Sequence, residues 1–177
     1  MIEDVRRVVM GERGSGEPVV SHLEVVQPMK LGAGRVWHIW GWDETPVLPD
    51  DAGEPYQPWS WSPPIGGLRV TATRFSLEQA ARSEEERRDE AALKELADAE
   101  PCGRVDDPDR PGMHRTDSID IGIVVSGEVT VECGDGAQVV LQPGDVYVQN
   151  GAMHRWQPEA ASQAHVVFVS LGVERSS

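Results

Sequence analysis

Cysteine is scarce in this chain: 177 residues hold only Cys102 and Cys133. They stand far apart with no C-x-x-C spacing, which excludes a disulfide framework and a thiolate metal knuckle. Two free thiols, as in a cytoplasmic protein, are the expectation. Basic residues are also in short supply, 16 Lys and Arg against 30 Asp and Glu, for a net charge of −14. Phosphate binding needs a Lys/Arg surface, so that balance excludes nucleic acid as a partner. It argues equally against anionic membrane surfaces. No apolar run approaches the roughly 20 residues that span a bilayer. Residues 1–10 carry charge at Glu3, Asp4, Arg6 and Arg7 and have no apolar h-region, so no secretory signal is read there. What remains is a soluble chain of one-domain size, long enough to bury a core without staples.

Helix signals are equally sparse. Residues 83–99 alone have them: Ser83-Glu84-Glu85-Glu86 has the capping-box form, and Glu84/Arg88 and Glu90/Lys94 are i,i+4 pairs. Leu93, Leu96 and Ala97 make a narrow apolar stripe, and Pro101 ends the segment. One short, largely solvated helix is expected there. Residues 45–67 hold six of the 13 prolines, with Tyr56, Trp59 and Trp61 among them. Such density forbids a helix and disfavours a central strand, so this stretch reads as an extended, packed connector.

Strand signals fill the rest. Residues 5–10 and 17–26 flank the turn GERGSG and predict a hairpin outside the main barrel. Residues 35–42, RVWHIWGW, read as extended, and residues 68–75, LRVTATRF, as a strand. From residue 118 short strands follow at 118–125, 129–133, 138–141, 146–149, 154–157 and 164–171. Gly134-Asp135-Gly136, Pro143-Gly144-Asp145 and Asn150-Gly151 punctuate them as turns. That pattern predicts an all-β sandwich or barrel.

Two segments carry a resemblance. In the first, HRTDSIDIGIVVSGEV, His114 is followed two residues later by Thr116, then by Asp120, then after six residues by Gly127. In the second, LQPGDVYVQNGAMHRW, Pro143-Gly144-Asp145 opens a strand that ends at Gly151, with His154 close behind. The spacing resembles the paired motifs of the type-2 cupins, and the fuller strings are similar to a subgroup of small single-domain bacterial and fungal cupins of mostly unassigned function. Thr116 stands where the family has a second histidine and Asp120 where it has a glutamate. Gln149 stands where a proline is usual, and Pro158 where an asparagine is. The resemblance implies a jelly-roll (double-stranded β-helix) barrel over residues 68–177. Residues 1–67 then supply an N-terminal β-arm and a Trp/Pro-rich connector packed on it, one structural domain in all.

Cupins usually hold a divalent metal at the barrel mouth, so the resemblance makes His114, Asp120 and His154 the expected ligands. Two imidazoles and a carboxylate are the minimal facial set for Fe, Mn, Ni, Cu or Zn, and they leave positions for substrate. Alternation puts Asp120, Gly122 and Val124 on one strand face, opposite Ile119, Ile121, Ile123 and Val125. Both faces are largely apolar, as in a buried barrel strand, and a carboxylate there needs a partner or a proton. Thr116, Asp117, Tyr147 and Trp156 are expected to line the pocket or to support the ligands. The family resemblance implies a metal-dependent enzyme acting on a small organic molecule, of dioxygenase, decarboxylase or isomerase type. A non-catalytic small-molecule-binding cupin is the other reading. A homodimer is expected, because an arm over residues 5–26 exposes long strand edges on a monomer.

Overall fold

The computed structural model describes residues 4–31, 34–50, 53, 60–76, 91, 103–158 and 163–176. Thirteen strands run in chain order: β1 (Val5–Glu12), β2 (Pro18–Val26), β3 (Met29–Leu31), β4 (Gly34–Trp42), β5 (Leu68–Phe75), β6 (Val105–Asp106) and β7 (His114–Arg115). They continue with β8 (Ser118–Ser126), β9 (Val129–Cys133), β10 (Gln138–Leu141), β11 (Val146–Asn150), β12 (His154–Pro158) and β13 (Ala164–Gly172). The expected helix at 83–99 lies outside the described residues except for Ala91, which is helical. No helix among the described residues is long and apolar enough to cross a membrane.

Two antiparallel sheets make the barrel, a six-stranded one in the order β11-β8-β13-β5-β4-β3 and a five-stranded one in the order β10-β9-β12-β7-β6. This is the all-β barrel that the turn spacing predicts, in the jelly-roll arrangement that the resemblance implies. Among the described strands, β1 and β2 pair only with each other, forming the expected arm hairpin. β3 and β4 extend the larger sheet, so the first barrel strands lie ahead of the Pro-rich connector.

Alternation sorts each strand into an inner and an outer face. Val124, Val129, Val131, Leu141, Ala164 and Val166 form the buried core, with Phe75, Tyr147, Trp156 and Phe168 packed against it. Register aligns residues across the larger sheet in rows. One row runs Gly41, Arg69, Ser170, Asp120, Gln149, and the next His38, Thr71, Phe168, Gly122, Tyr147. Gly122 belongs where it is because a Cβ there would lie 3.1 Å from the Phe168 ring. The outer face departs from the expectation of a strand buried on both sides. Ile121, Ile123 and Val125 are each about 40% exposed, and their neighbours Val146 and Val148 are more so.

Candidate functional site

The pocket is a cavity of about 590 Å³ opening between the two sheets, within the usual range for small-molecule sites. Strand register builds its polar end. His154 on β12 pairs directly opposite His114 on β7, which sets the two imidazoles side by side with ring centroids 4.7 Å apart. Asp120 enters from the facing sheet, and Thr116, Tyr147, Gln149 and Trp156 line the same cavity.

Each imidazole is oriented through its Nδ1. That of His114 donates to the Gly112 carbonyl at 3.0 Å, which leaves its Nε2 with a free lone pair. The Nδ1 of His154 lies 3.0 Å from the Ala152 carbonyl and 2.7 Å from the Gln149 amide nitrogen. Burial, reinforced by the positive charge of Arg104, pushes the His114 imidazole down to about 4. Burial lowers His154 as well. Both rings are therefore neutral at pH 7, the form that can bind a metal or accept a proton.

Asp120 is satisfied by hydroxyls. Ser118 donates to its two carboxylate oxygens at 3.2 and 3.1 Å, and Ser170 supplies another side-chain hydrogen bond. Burial nonetheless raises its carboxyl above the usual range, outweighing those bonds. The Thr116 hydroxyl is 2.8 Å from Ser118, so the residue in the second histidine position joins a chain of hydroxyls ending on Asp120. Asp117 is placed differently from the lining residues. It faces Arg115, 3.2 Å away, and Arg175, because it falls on the opposite side of the chain from Thr116 and Ser118. Among the described residues, no three His, Cys, Asp or Glu side chains as placed form a group that could hold a metal ion.

The donor chemistry fits a divalent ion. Two neutral imidazoles share the cavity, that of His114 held through an Nδ1–H donated to a carbonyl, as ligating histidines usually are, and a carboxylate lies across from them. Beside the histidines the cavity is aromatic, with Tyr147 and Trp156 each 6.4 Å from the His154 ring. Trp156 stacks on Phe75 at 5.3 Å and meets Phe168 and Tyr147 edge-on at 5.2 Å. Trp61 and Ser62, from the end of the connector, line the cavity with Thr71 and Thr73. Arg104 and Asp106 stand at the cavity edge as an ion pair of 2.7 Å.

Several of these residues carry no motif. Ser170 and Phe168 share a face of β13 by alternation, and a serine within AHVVFVSLG was the signal that one polar group points inward. Ser118 offered a similar clue beside Asp120. Arg104 and Trp61 come from loops and gave none. His38 sits edge-on to Trp61 at 5.8 Å. Burial lowers it to about 4.

No family model matches the chain. The phomopsin biosynthesis cluster protein C' of Diaporthe leptostromiformis is 42% identical over 67 residues, 35% of this chain and 35% of that protein. The cupin-domain-containing oxidoreductase srdB of Neurospora crassa is 44% identical over 66 residues, 37% of this chain and 34% of that protein. The matched region thus spans about a third of the length of these curated relatives. A solved structure of KdgF from Halomonas sp. covers 85% of this chain and 88% of its own, at 13% identity and a TM-score of 0.43. With its two-sheet barrel and its motif histidines side by side at one cavity, the chain has the cupin type of fold, and over about a third of its length it is similar to cupin-domain proteins.

Proposed function

We propose that this cavity is the active site of a small-molecule enzyme in which His114, His154 and Asp120 hold a divalent metal. The observation that carries the reading is the pair of neutral imidazoles set 4.7 Å apart across β7 and β12. A metal at that place supplies Lewis acidity toward a carbonyl, carboxylate or enol oxygen. The chain's own groups do the rest: the aromatic side chains hold the apolar body of the molecule and exclude water, while the hydroxyls of Ser118 and Ser170 hold the Asp120 carboxyl in place. The oxidoreductase name of the Neurospora relative supports redox chemistry within the dioxygenase, decarboxylase and isomerase set. Elemental analysis of purified protein is expected to find about one metal per chain. His154→Ala and His114→Ala should each lower metal affinity at least ~10-fold, since two remaining donors hold an ion poorly. Wild-type protein that takes up none of Fe, Mn, Ni, Cu or Zn in a calorimetric titration would overturn the reading. The alternative, a non-catalytic binding cupin, draws support from Thr116 and Asp120 both being spent on Ser118. It predicts small-molecule binding that is indifferent to chelator.

We also propose a homodimer. The outer face of the larger sheet presents Ile121, Ile123, Val125, Val146 and Val148, and the arm presents Val8, Met10, Val20, Leu23 and Val25, all between 40% and 70% exposed. Two exposed apolar faces of this kind on one chain favour burial against a second copy. Light scattering at micromolar concentration should give twice the chain mass, and Ile121→Lys with Val148→Lys should give the monomer. A dimer unchanged by those substitutions but lost on deleting residues 1–30 assigns the interface to the arm. A monomer mass in the wild type ends the proposal.

A further inference from the structure

We infer that Gln149 decides which ring nitrogen of His154 carries the proton, and that in the metal-free protein it places that proton on Nε2, facing the cavity. Gln149 is buried on β11, in register beside Asp120. Its side-chain oxygen accepts the Tyr147 hydroxyl at 2.9 Å. That bond fixes the amide, so the nitrogen end turns toward the 152–154 segment. There the amide nitrogen meets two groups, the Ala152 carbonyl and the Nδ1 of His154, the latter at 2.7 Å.

An amide NH2 has two hydrogens and no acceptor, and a carbonyl only accepts. The two hydrogens are therefore accounted for by Ala152 and by Nδ1, and Nδ1 must be the acceptor. The opposite tautomer would set an Nδ1–H against an amide N–H across 2.7 Å. Ala152 lies 3.0 Å from Nδ1 as well, but an Nδ1–H turned toward it would leave the second amide hydrogen of Gln149 without an acceptor and facing the protonated ring nitrogen at 2.7 Å. With Nδ1 accepting, the remaining ring proton sits on Nε2. His154 then offers the cavity a hydrogen-bond donor, suited to a carbonyl or hydroxyl oxygen of a bound molecule.

A ligating imidazole needs the reverse, Nδ1–H behind and the Nε2 lone pair in front. The site can reach that state by turning the Gln149 amide over. Its oxygen would then accept from Nδ1–H and its nitrogen would donate to the Tyr147 oxygen. The Ala152 carbonyl loses its amide donor in that setting. Metal uptake at His154 is thus coupled to an amide rotation two residues from a turn, and Gln149 opposes it. His114 has no such neighbour; its Nδ1 rests on a carbonyl alone. The position is also one where the sequence departs from the proline usual in this motif, so the device belongs to this chain's own residues. As far as it concerns metal, the inference rests on the reading of His154 as a ligand.

Two variants separate the tautomer from added charge. In Gln149→Glu a carboxylate accepts Nδ1–H. In Gln149→Met nothing competes, and Nδ1–H donates to Ala152. Long-range proton–nitrogen correlation spectra of 15N-histidine-labelled, chelator-treated full chain at pH 7.5 read the tautomer directly, with His154→Ala assigning the signals. Wild type should show His154 protonated on Nε2, and both variants should show it protonated on Nδ1. Titration with Zn or Mn should then give affinities raised ~10-fold in both variants, the size expected for a group behind a ligand. Wild-type His154 protonated on Nδ1 overturns the inference. So does a tautomer unchanged in both variants, or an affinity raised in Gln149→Glu alone, which would be the work of charge. If no form of the protein binds metal while the spectra come out as stated, the tautomer assignment stands and the metal reading falls.

Discussion

Gly127→Ala is expected to cost the barrel about 3 kcal/mol or more, the sum of a left-handed backbone penalty of ~1–2 kcal/mol and an overlap that cannot relax. Gly127 sits in the turn between β8 and β9 with φ of +70°. A Cβ there would stand 2.3 Å from the Gln163 carbonyl oxygen and 2.8 Å from the Ala164 Cα. Both are main-chain atoms at the start of β13, and Ala164 is fully buried in the core. Either the turn or the strand must move, and moving the strand disturbs the register that carries Phe168 and Ser170 to the cavity. Gly136 provides the control. It has φ of +89° in the β9–β10 turn, with nothing within 4 Å of where a Cβ would be. Gly136→Ala should show the backbone penalty alone. Denaturant midpoints of the two variants measure the difference, and equal midpoints would mean that the close approach to β13 has no energetic weight.

The glycine was legible as a motif position from spacing alone; what it touches was not. The same division runs through the fold. β5, β9 and β10 have the predicted bounds, because alternation and Gly or Pro turns mark both ends. β3, β6 and β7 are two or three residues long, too short for any periodicity, and exist because a neighbouring strand pairs with them. Within the site, spacing identified His114 and His154, since register is a local consequence of strand and turn lengths. The groups that hold Asp120 and orient His154 were not read as such. Ser170 reaches Asp120 from a strand 50 residues on, and Gln149 stood out only as a departure from the motif. A pair of apolar faces on 118–125 suggested burial on both sides. One of them is outward and half-exposed, because alternation gives the sidedness of a strand but not what lies beyond the sheet.

Arg69 is the second position where a single change should have a large effect. Its side chain is almost fully buried, and its guanidinium ties together both ends of the connector. One nitrogen donates to the carbonyls of Trp42 and Leu68 at 3.0 Å, and the other to Asp43 at 2.7 Å and to the Ser60 hydroxyl at 3.3 Å. Ser60 in turn donates to the Ser62 carbonyl at 2.7 Å. Trp61 and Ser62 are cavity walls, so the planar fork of one arginine holds one wall of the pocket. Arg69→Met keeps much of the volume but removes the ion pair to the partly exposed Asp43 and leaves buried acceptors without this donor. A loss of about 2–3 kcal/mol is expected, together with stronger quenching of tryptophan fluorescence by acrylamide as Trp61 loosens. Arg69→Lys should fall between, because an ammonium cannot reproduce the fork. Adding Asp43→Asn to Arg69→Met should recover part of the loss, since the carboxylate that paired with the arginine is then neutral. A double variant no more stable than Arg69→Met would show that the carbonyl and hydroxyl contacts, not the ion pair, hold the connector to the sheet.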